Sequence, residues 1–317
     1  MNQLRLALLS NEKLHPELNW TTLAPPMFSG LSALVPTETV APEPFSWDRP
    51  LAMMEQVRQA RTCDFTFGLQ RSSRLETPLL AIANLALGTR KSVFVIDPWR
   101  HMLSKLTVSI RAQNIAACFI PYKEAFAILK GMPGGDRVHY LPFGIDTKVF
   151  TERKVEKDVD IFWMGRRYAP LHNAIERYCD AHNLTYLYRE KTGPIEDPQE
   201  LGRLVSRSRY FVATPPDLDD PARTGGFSPL VMRYFEGLAA GTRLLGVLPR
   251  SGEFEDFVPR ESLLAVAPDG SDFAEKFEAD QQSETGWNAS RAAAKTVRNH
   301  HSFDARAKEI VRVLGTL

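Results

Sequence analysis

The chain has 317 residues, of which 44% are hydrophobic and 24% charged, and its formal net charge is +1. That length is comfortable for two cores, and the composition excludes a disordered chain. The charge balance supplies no global attraction for nucleic acid or an anionic membrane and leaves only local basic patches for peripheral contact; no apolar run approaches the ~20 residues needed to cross a bilayer.

Leu4–Leu9 reads as a strand; it contains Arg5 and is too short for a signal peptide. The next stretch, Ser10–Pro50, holds seven prolines and no sustained period, which predicts loop with short helical turns. Regular alternation then begins. Leu51–Arg61 is a predicted helix and Cys63–Phe67 a strand. Glu76–Leu87 is a helix, Ser92–Ile96 a strand, His101–Ala112 a helix, Ala117–Ile120 a strand, Lys123–Lys130 a helix and Arg137–Leu141 a strand. The segment Pro142–Lys157, with Pro142, Gly144 and a charged run, is the natural joint.

The second half repeats the scheme. Asp160–Met164 is a buried strand, Leu171–His182 a helix with Leu171, Ile175 and Tyr178 on one face, and Thr185–Tyr188 a strand. Pro198–Ser208 is a helix, Tyr210–Ala213 a strand, Pro229–Ala240 a helix and Arg243–Val247 a strand. Weaker elements run to Val266, and helices at Asn288–Asn299 and Phe303–Leu314 close the chain. Alternation in both halves implies an α/β protein of two Rossmann-like, parallel-sheet domains, with ligands at the carboxyl ends of strands and a cleft between facing sheets. The three cysteines, Cys63, Cys118 and Cys179, lie in apolar stretches without metal spacing, and a reducing cytoplasm is the simpler expectation.

Three segments carry chemistry. In Tyr140–Phe150, Pro142 and Gly144 break a strand and Asp146 can cap the next turn. In Asp160–Arg167, a buried strand ends at Gly165, followed by Arg166 and Arg167; glycine permits close backbone approach, and a guanidinium beside a helix start suits a diphosphate. In Thr224–Thr242, Gly225 and Gly226 precede a helix whose amino-terminal amides can cradle phosphate. On that helix Leu230, Tyr234 and Leu238 form a core face, while Arg233 and Glu236 lie elsewhere at i,i+3. They read either as a surface ion pair or as a carboxylate for a ribose diol beside a guanidinium.

These segments, in this order, resemble the glycosyltransferases of the GT-B fold, family four. Leu141–Phe150 is similar to the hinge signature Pro-x-Gly-Val/Ile-Asp-x-x-x-Phe, and Asp160–Arg166 to the strand-Gly-Arg opening of the donor domain. Glu200–Pro215 resembles the family's helix, Ser-Lys/Arg and apolar strand. Arg233–Gly241 resembles Arg-x-Phe-Glu-x-x-Ala-x-Gly, particularly of the spore-maturation-type branch. His300–Leu314 resembles the closing His-Ser/Thr-Phe-x-x-Arg helix. Together the matches span about residues 87–315.

The resemblance implies an acceptor domain over 1–145, with the closing helix 303–317 packed back on it, and a nucleotide-sugar donor domain over 146–302. It implies that Gly165 and Arg166 lie by the diphosphate and that Glu236 binds the ribose with Arg233 beside it. Gly225, Gly226, Phe227 and Ser228 would approach the distal phosphate and sugar, and Gly241 and Thr242 would sit behind. Ser228 stands where the wider family has a sugar-contacting Glu, and Arg167 or His172 is nearest to its usual Lys. Arg166 is the expected catalytic group, with Asp97 or His101, after the strand Ser92–Ile96, serving the acceptor; His15 is a further candidate. Asp217-Leu218-Asp219-Asp220 looks superficially like a metal motif but is expected to be a solvated loop, because GT-B enzymes stabilise the leaving group with helix dipoles and basic side chains. No metal and no cofactor is expected, only a co-substrate such as a UDP- or GDP-sugar. The implied reaction is transfer, with retention, to a glycan, lipid-linked or small-molecule acceptor; a nucleic-acid partner is not expected. The rival readings are a nucleotide-sugar epimerase and a non-catalytic nucleotide-sugar-binding or scaffolding protein.

Overall fold

The computed structural model describes residues 3–10, 23–41, 50–71, 82–190 and 197–317, with the side chains of 50–53 excepted. His15 and the first half, 76–81, of the helix expected at Glu76–Leu87 fall outside the described residues. The chain forms two compact units, Met1–Pro142 with Phe303–Leu317, and Phe143–Ser302.

The first unit contains a six-stranded sheet: β1 (Leu6–Leu9), β2 (Thr37–Val40), β3 (Phe65–Arg71), β4 (Arg90–Ile96), β5 (Ile115–Ile120) and β6 (Val138–Tyr140). Their order is β2-β1-β3-β4-β5-β6, and every pairing is parallel. Such a sheet is covered on both faces, so its inner strands read as unbroken apolar runs; residues 65–70 of β3 are all buried. The closing helix, Phe303–Leu314, belongs here and packs on helix Ala24–Ser32, where Gly30 leaves room for Ala307 and Asp304.

The second unit holds β7 (Val159–Met164), β8 (Tyr186–Arg189), β9 (Ser208–Ala213), β10 (Arg243–Gly246) and β11 (Leu263–Ala265), in the order β11-β10-β9-β7-β8 and again parallel. The pleat sends alternate residues to opposite faces. Phe162, Phe211 and Leu244 meet Phe235 and Leu238 of helix Met232–Ala239 on one side. Ile161, Trp163, Tyr210, Val212 and Leu245 meet Leu171, Ile175, Phe273 and Phe277 on the other. Burying each of these large side chains contributes about 1.5–3 kcal/mol.

The joint segment is anchored within the second unit. Ile145 N donates to His301 O at 3.0 Å, and Ile145 bridges to Ser302. Asp146 forms the expected turn, its Oδ1 accepting from Lys148 N at 2.9 Å. His301 is buried and stacks on Phe235 at 4.7 Å, which gives the His-Ser-Phe sequence a packing role. At the amino end of β10, buried Arg243 donates to both oxygens of buried Asp280, at 3.0 and 2.7 Å, and to Ser290 Oγ. The pair is retained because its polar atoms are satisfied.

All three cysteines are buried thiols. Burial pushes Cys179 up to about 12 and raises Cys63 and Cys118, so they act as small apolar groups.

Candidate functional site

The order of the second sheet creates a switch point. From β7 the chain crosses to β8 on one flank, then returns to β9 on the other, so the connections leaving the carboxyl ends of β7 and β9 diverge. Ligands of open parallel sheets bind at such points. Here β7 runs into Gly165, and β9 runs into the turn 214–220, the short helix Pro221–Thr224, the Gly225–Gly226 pair and helix Met232–Ala239.

Gly165 adopts φ +95°, in the left-handed region, and a Cβ there would fall 2.3 Å from Arg233 Nη2. The guanidinium of Arg233 lies over this glycine because its Nε and Nη1 donate to Met164 O at 3.0 and 2.7 Å. Burial lowers the Arg233 pKa from the ordinary guanidinium value, while Glu236 and Asp219 oppose the shift. Arginine remains charged under such conditions. Glu236 is buried, at 8% exposure, one turn along the same helix. The surface ion-pair reading is therefore excluded: the two charges share a desolvated site.

The turn before the helix is built for close approach. Gly225 and Gly226 have φ +62° and +86°, and a Cβ on Gly226 would meet nothing within 4 Å. Gly225 N donates to Pro221 O and Phe227 N to Thr224 O. The Gly226 amide has no internal acceptor among the described residues. Helix Met232–Ala239 starts with no side-chain cap on its first amides. It begins three residues later than the proline expected to open it, because Leu230 N is taken by Glu253 Oε2 at 2.8 Å. The amino end of this helix therefore carries a partial positive charge beside a guanidinium, an arrangement suited to a phosphate.

The remaining expected residues divide. Arg166 is half-exposed, with Nη1 3.6 Å from Asp220 Oδ2. The side chains of Phe227 and Ser228 are buried, and Ser228 Oγ accepts from Arg250 N at 3.1 Å, so both residues offer a ligand only backbone. Gly241 and Thr242 are not gathered with the others. They lie at the amino end of β10, where Lys157 Nζ reaches Gly241 O at 3.3 Å and Ser208 O at 3.0 Å, and Thr242 Oγ1 donates to Gly237 O. These residues close the helix and turn the chain into the strand; the part given to them beside the ribose is revised accordingly. His172 is buried among Trp163, Tyr186 and Tyr188, with Nδ1 2.7 Å from Tyr186 OH. Its burial lowers its pKa, so the ring is neutral near pH 7 and packs rather than binds anions. Arg167 lies over the Tyr188 ring, and Tyr188 OH holds Gly165 O at 2.9 Å.

The acidic turn is not a solvated loop. Asp217 is buried and pairs with Arg250 Nη2 at 2.9 Å. Burial raises the pKa of Asp219, while Arg166, Arg233 and Arg223 pull it down. Asp220 meets both Arg166 and Arg223 and caps helix Pro221–Thr224 by accepting from Arg223 N. Three aspartates thus face four arginines at the carboxyl end of the sheet. The sequence signal was available: a dense acidic run soon after a strand, in a chain with arginines after neighbouring strands.

In the first unit, Asp97 follows β4 at φ +55° and accepts a hydrogen bond from Tyr122 OH at 3.0 Å. A non-glycine residue held in this region costs about 1–3 kcal/mol and is found disproportionately at functional sites. His101 is exposed on the turn that follows.

Residues 164–312 match the family described as glycosyl transferase-like. No curated protein sequence matches the chain. Among solved structures, Anabaena Alr3699/HepE in complex with UDP and glucose aligns with a TM-score of 0.63 and 9% identity, over 100% of each chain. Sucrose-phosphate synthase from Thermosynechococcus elongatus gives 0.63 and 11%, over 99% of each. AviGT4, a glycosyltransferase involved in avilamycin A biosynthesis, gives 0.61 and 15%, over 99% of this chain and 98% of that one. At such identities the shared property is the fold, which is that of the GT-B glycosyltransferases. Residues 164–312 form a glycosyl transferase-like domain, and on the family match and the fold together the chain is an enzyme of the transferase class. The spore-maturation-type branch is not singled out. Among the described residues no helix is long and apolar enough to cross a membrane.

Proposed function

We propose that the protein moves a sugar from a nucleoside-diphosphate sugar to an acceptor hydroxyl, with the donor held at the switch point of the second sheet. The observation that carries the reading is the Arg233 guanidinium lying over Gly165, with Glu236 one turn further on and Gly226 and an uncapped helix start alongside. In this reading Gly165, Arg166 and Arg233 meet the diphosphate, the Gly225–Ser228 backbone approaches the distal phosphate and sugar, and Glu236 accepts from the ribose diol. The bond from the sugar's anomeric carbon to the diphosphate breaks, a bond to the acceptor oxygen forms, and the hydroxyl's proton passes to the departing diphosphate. Arginine charge and oriented amides stabilise the departing diphosphate more in the transition state than in the ground state. Asp97, oriented by Tyr122, and His101 are assigned to the acceptor. Retention of anomeric configuration and a glycan, lipid-linked or small-molecule acceptor remain part of the proposal, as does independence from any cofactor.

HepE has been captured with UDP and with UDP-glucose, so uridine nucleotides are the first probes here, with GDP as the alternative. Calorimetric titration of UDP and UDP-glucose into wild type and Glu236→Gln tests the site. The isosteric change preserves volume, and the expected result is a melting temperature close to wild type with at least tenfold weaker binding, since a hydrogen bond to a charged group contributes about 1.5–3 kcal/mol. Unchanged affinity removes Glu236 from the ribose.

A further inference from the structure

The segment after β10, Arg250–Glu253, contacts the Gly225–Leu230 loop through Arg250, Ser251 and Glu253. Arg250 Nη2 reaches Gly226 O at 3.5 Å and ties it to Asp217 Oδ2 at 2.9 Å. Arg250 N donates to Ser228 Oγ at 3.1 Å, and Ser251 N to Ser228 O at 3.3 Å. Glu253, only 1% exposed, accepts from Leu230 N at 2.8 Å and from Ser251 Oγ at 2.9 Å. A buried carboxylate is costly to desolvate and persists where donors converge on it. This one takes the amide of Leu230, next to the extended N-cap Val231, so that helix Met232–Ala239 begins beyond it.

We propose that Arg250 and Glu253 are positioning residues that splint the phosphate-facing loop, so that donor affinity depends on a segment beyond β10 that itself supplies no donor contact. The splint rests on the donor reading above, and it ties down a loop that contains two left-handed glycines. Without it, the loop must lose conformational freedom when the phosphate arrives, and that loss appears as weaker binding.

The test uses the full chain and UDP. Hydrogen exchange over residues 225–231, urea denaturation and UDP titration are measured for Glu253→Ala, Glu253→Gln, Arg250→Ala and the double variant Arg250→Ala/Asp217→Asn. In Glu253→Gln the amide oxygen still accepts from Leu230 N; it should keep the slow exchange and stay within about threefold of wild-type affinity. Glu253→Ala should exchange at least tenfold faster in this loop and bind UDP at least tenfold more weakly. Arg250 is mostly exposed but neutralises the buried Asp217, so the double variant Arg250→Ala/Asp217→Asn, which strands no buried charge, keeps the test decisive should Glu253→Ala or Arg250→Ala not fold. Either Arg250 variant should loosen the loop and weaken UDP severalfold, with the KM for donor rising and kcat changing less. Unchanged exchange in the folded Arg250 and Glu253→Ala variants overturns the splint. Faster exchange with unaltered UDP affinity overturns its role in donor binding. Wild-type protein that binds neither UDP nor GDP fails the donor reading itself, and the positioning role with it, whatever the exchange rates show.

Discussion

Replacing Gly165 by alanine places a methyl group 2.3 Å from Arg233 Nη2 and 2.7 Å from its Cζ and Nη1. The left-handed φ of +95° is itself unfavourable for alanine, by about 1–2 kcal/mol. To make room, the guanidinium must abandon Met164 O, and losing that charged hydrogen bonding costs about 1.5–3 kcal/mol more. A stability loss of about 2.5–5 kcal/mol is expected. A double-mutant cycle separates the contributions: with Arg233→Ala in the background, only the backbone strain of about 1–2 kcal/mol should remain. Urea denaturation of the four proteins supplies the energies, and UDP titration reports whether the displaced guanidinium was part of the phosphate site. An equal cost for Gly165→Ala in both backgrounds would refute the argument that this glycine exists to seat Arg233.

Asp220→Asn keeps the cap on helix Pro221–Thr224 but frees Arg166 from a half-exposed partner; UDP binding should tighten by about 1.4- to fivefold, in line with ~0.2–1 kcal/mol for such pairs, and the gain should shrink in high salt. Weaker binding would mean that Asp220 assists the ligand. His172 has a folded pKa below the ordinary imidazole value of 6.5 because burial disfavours its cation, with Arg167 adding to the shift and Glu176 opposing it. The unfolded state therefore takes up the proton first: stability is fully present above pH 6.5 and is lost as pH falls from there through the depressed folded value. Urea midpoints of wild type should decline faster below pH 6.5 than those of His172→Gln, and parallel curves would show that His172 does not carry that linkage. Asp280→Ala strands the Arg243 charge and should cost about 3–5 kcal/mol in denaturation while leaving UDP affinity unaltered, since the pair lies at the opposite end of the sheet from the switch point.

Much of this fold was legible because both sheets are buried on two sides. Strands such as Asp160–Met164 and Tyr210–Ala213 stand out as apolar runs between amphipathic helices, and the closing helix was bounded correctly at Phe303 and Leu314. What escaped notice lay in the proline-rich stretch. Pro25 and Pro26 open helix Ala24–Ser32 instead of breaking structure, since the first turn needs no amide from them. The strand β2, Thr37–Val40, is a short edge with only Val40 buried, so no alternation marks it. At the site, Gly165, Arg233 and Glu236 were readable from local order. The acidic run itself was visible, but its pairing with Arg166 and Arg250 and the Arg250–Glu253 support were not, because these partners lie more than twenty residues apart, where sequence spacing does not relate them.

The closing helix has a consequence for how the molecule is made. The first unit starts ahead of the second along the chain, yet Ala307, Ile310 and Leu314, buried in it, leave the ribosome only after the whole of the second unit. The second unit is complete once Ser302 has emerged, with its two ends already stitched at Ile145 and Ser302. During synthesis the later half can therefore finish before the earlier one, and a premature stop shortly after residue 302 would injure the domain translated first.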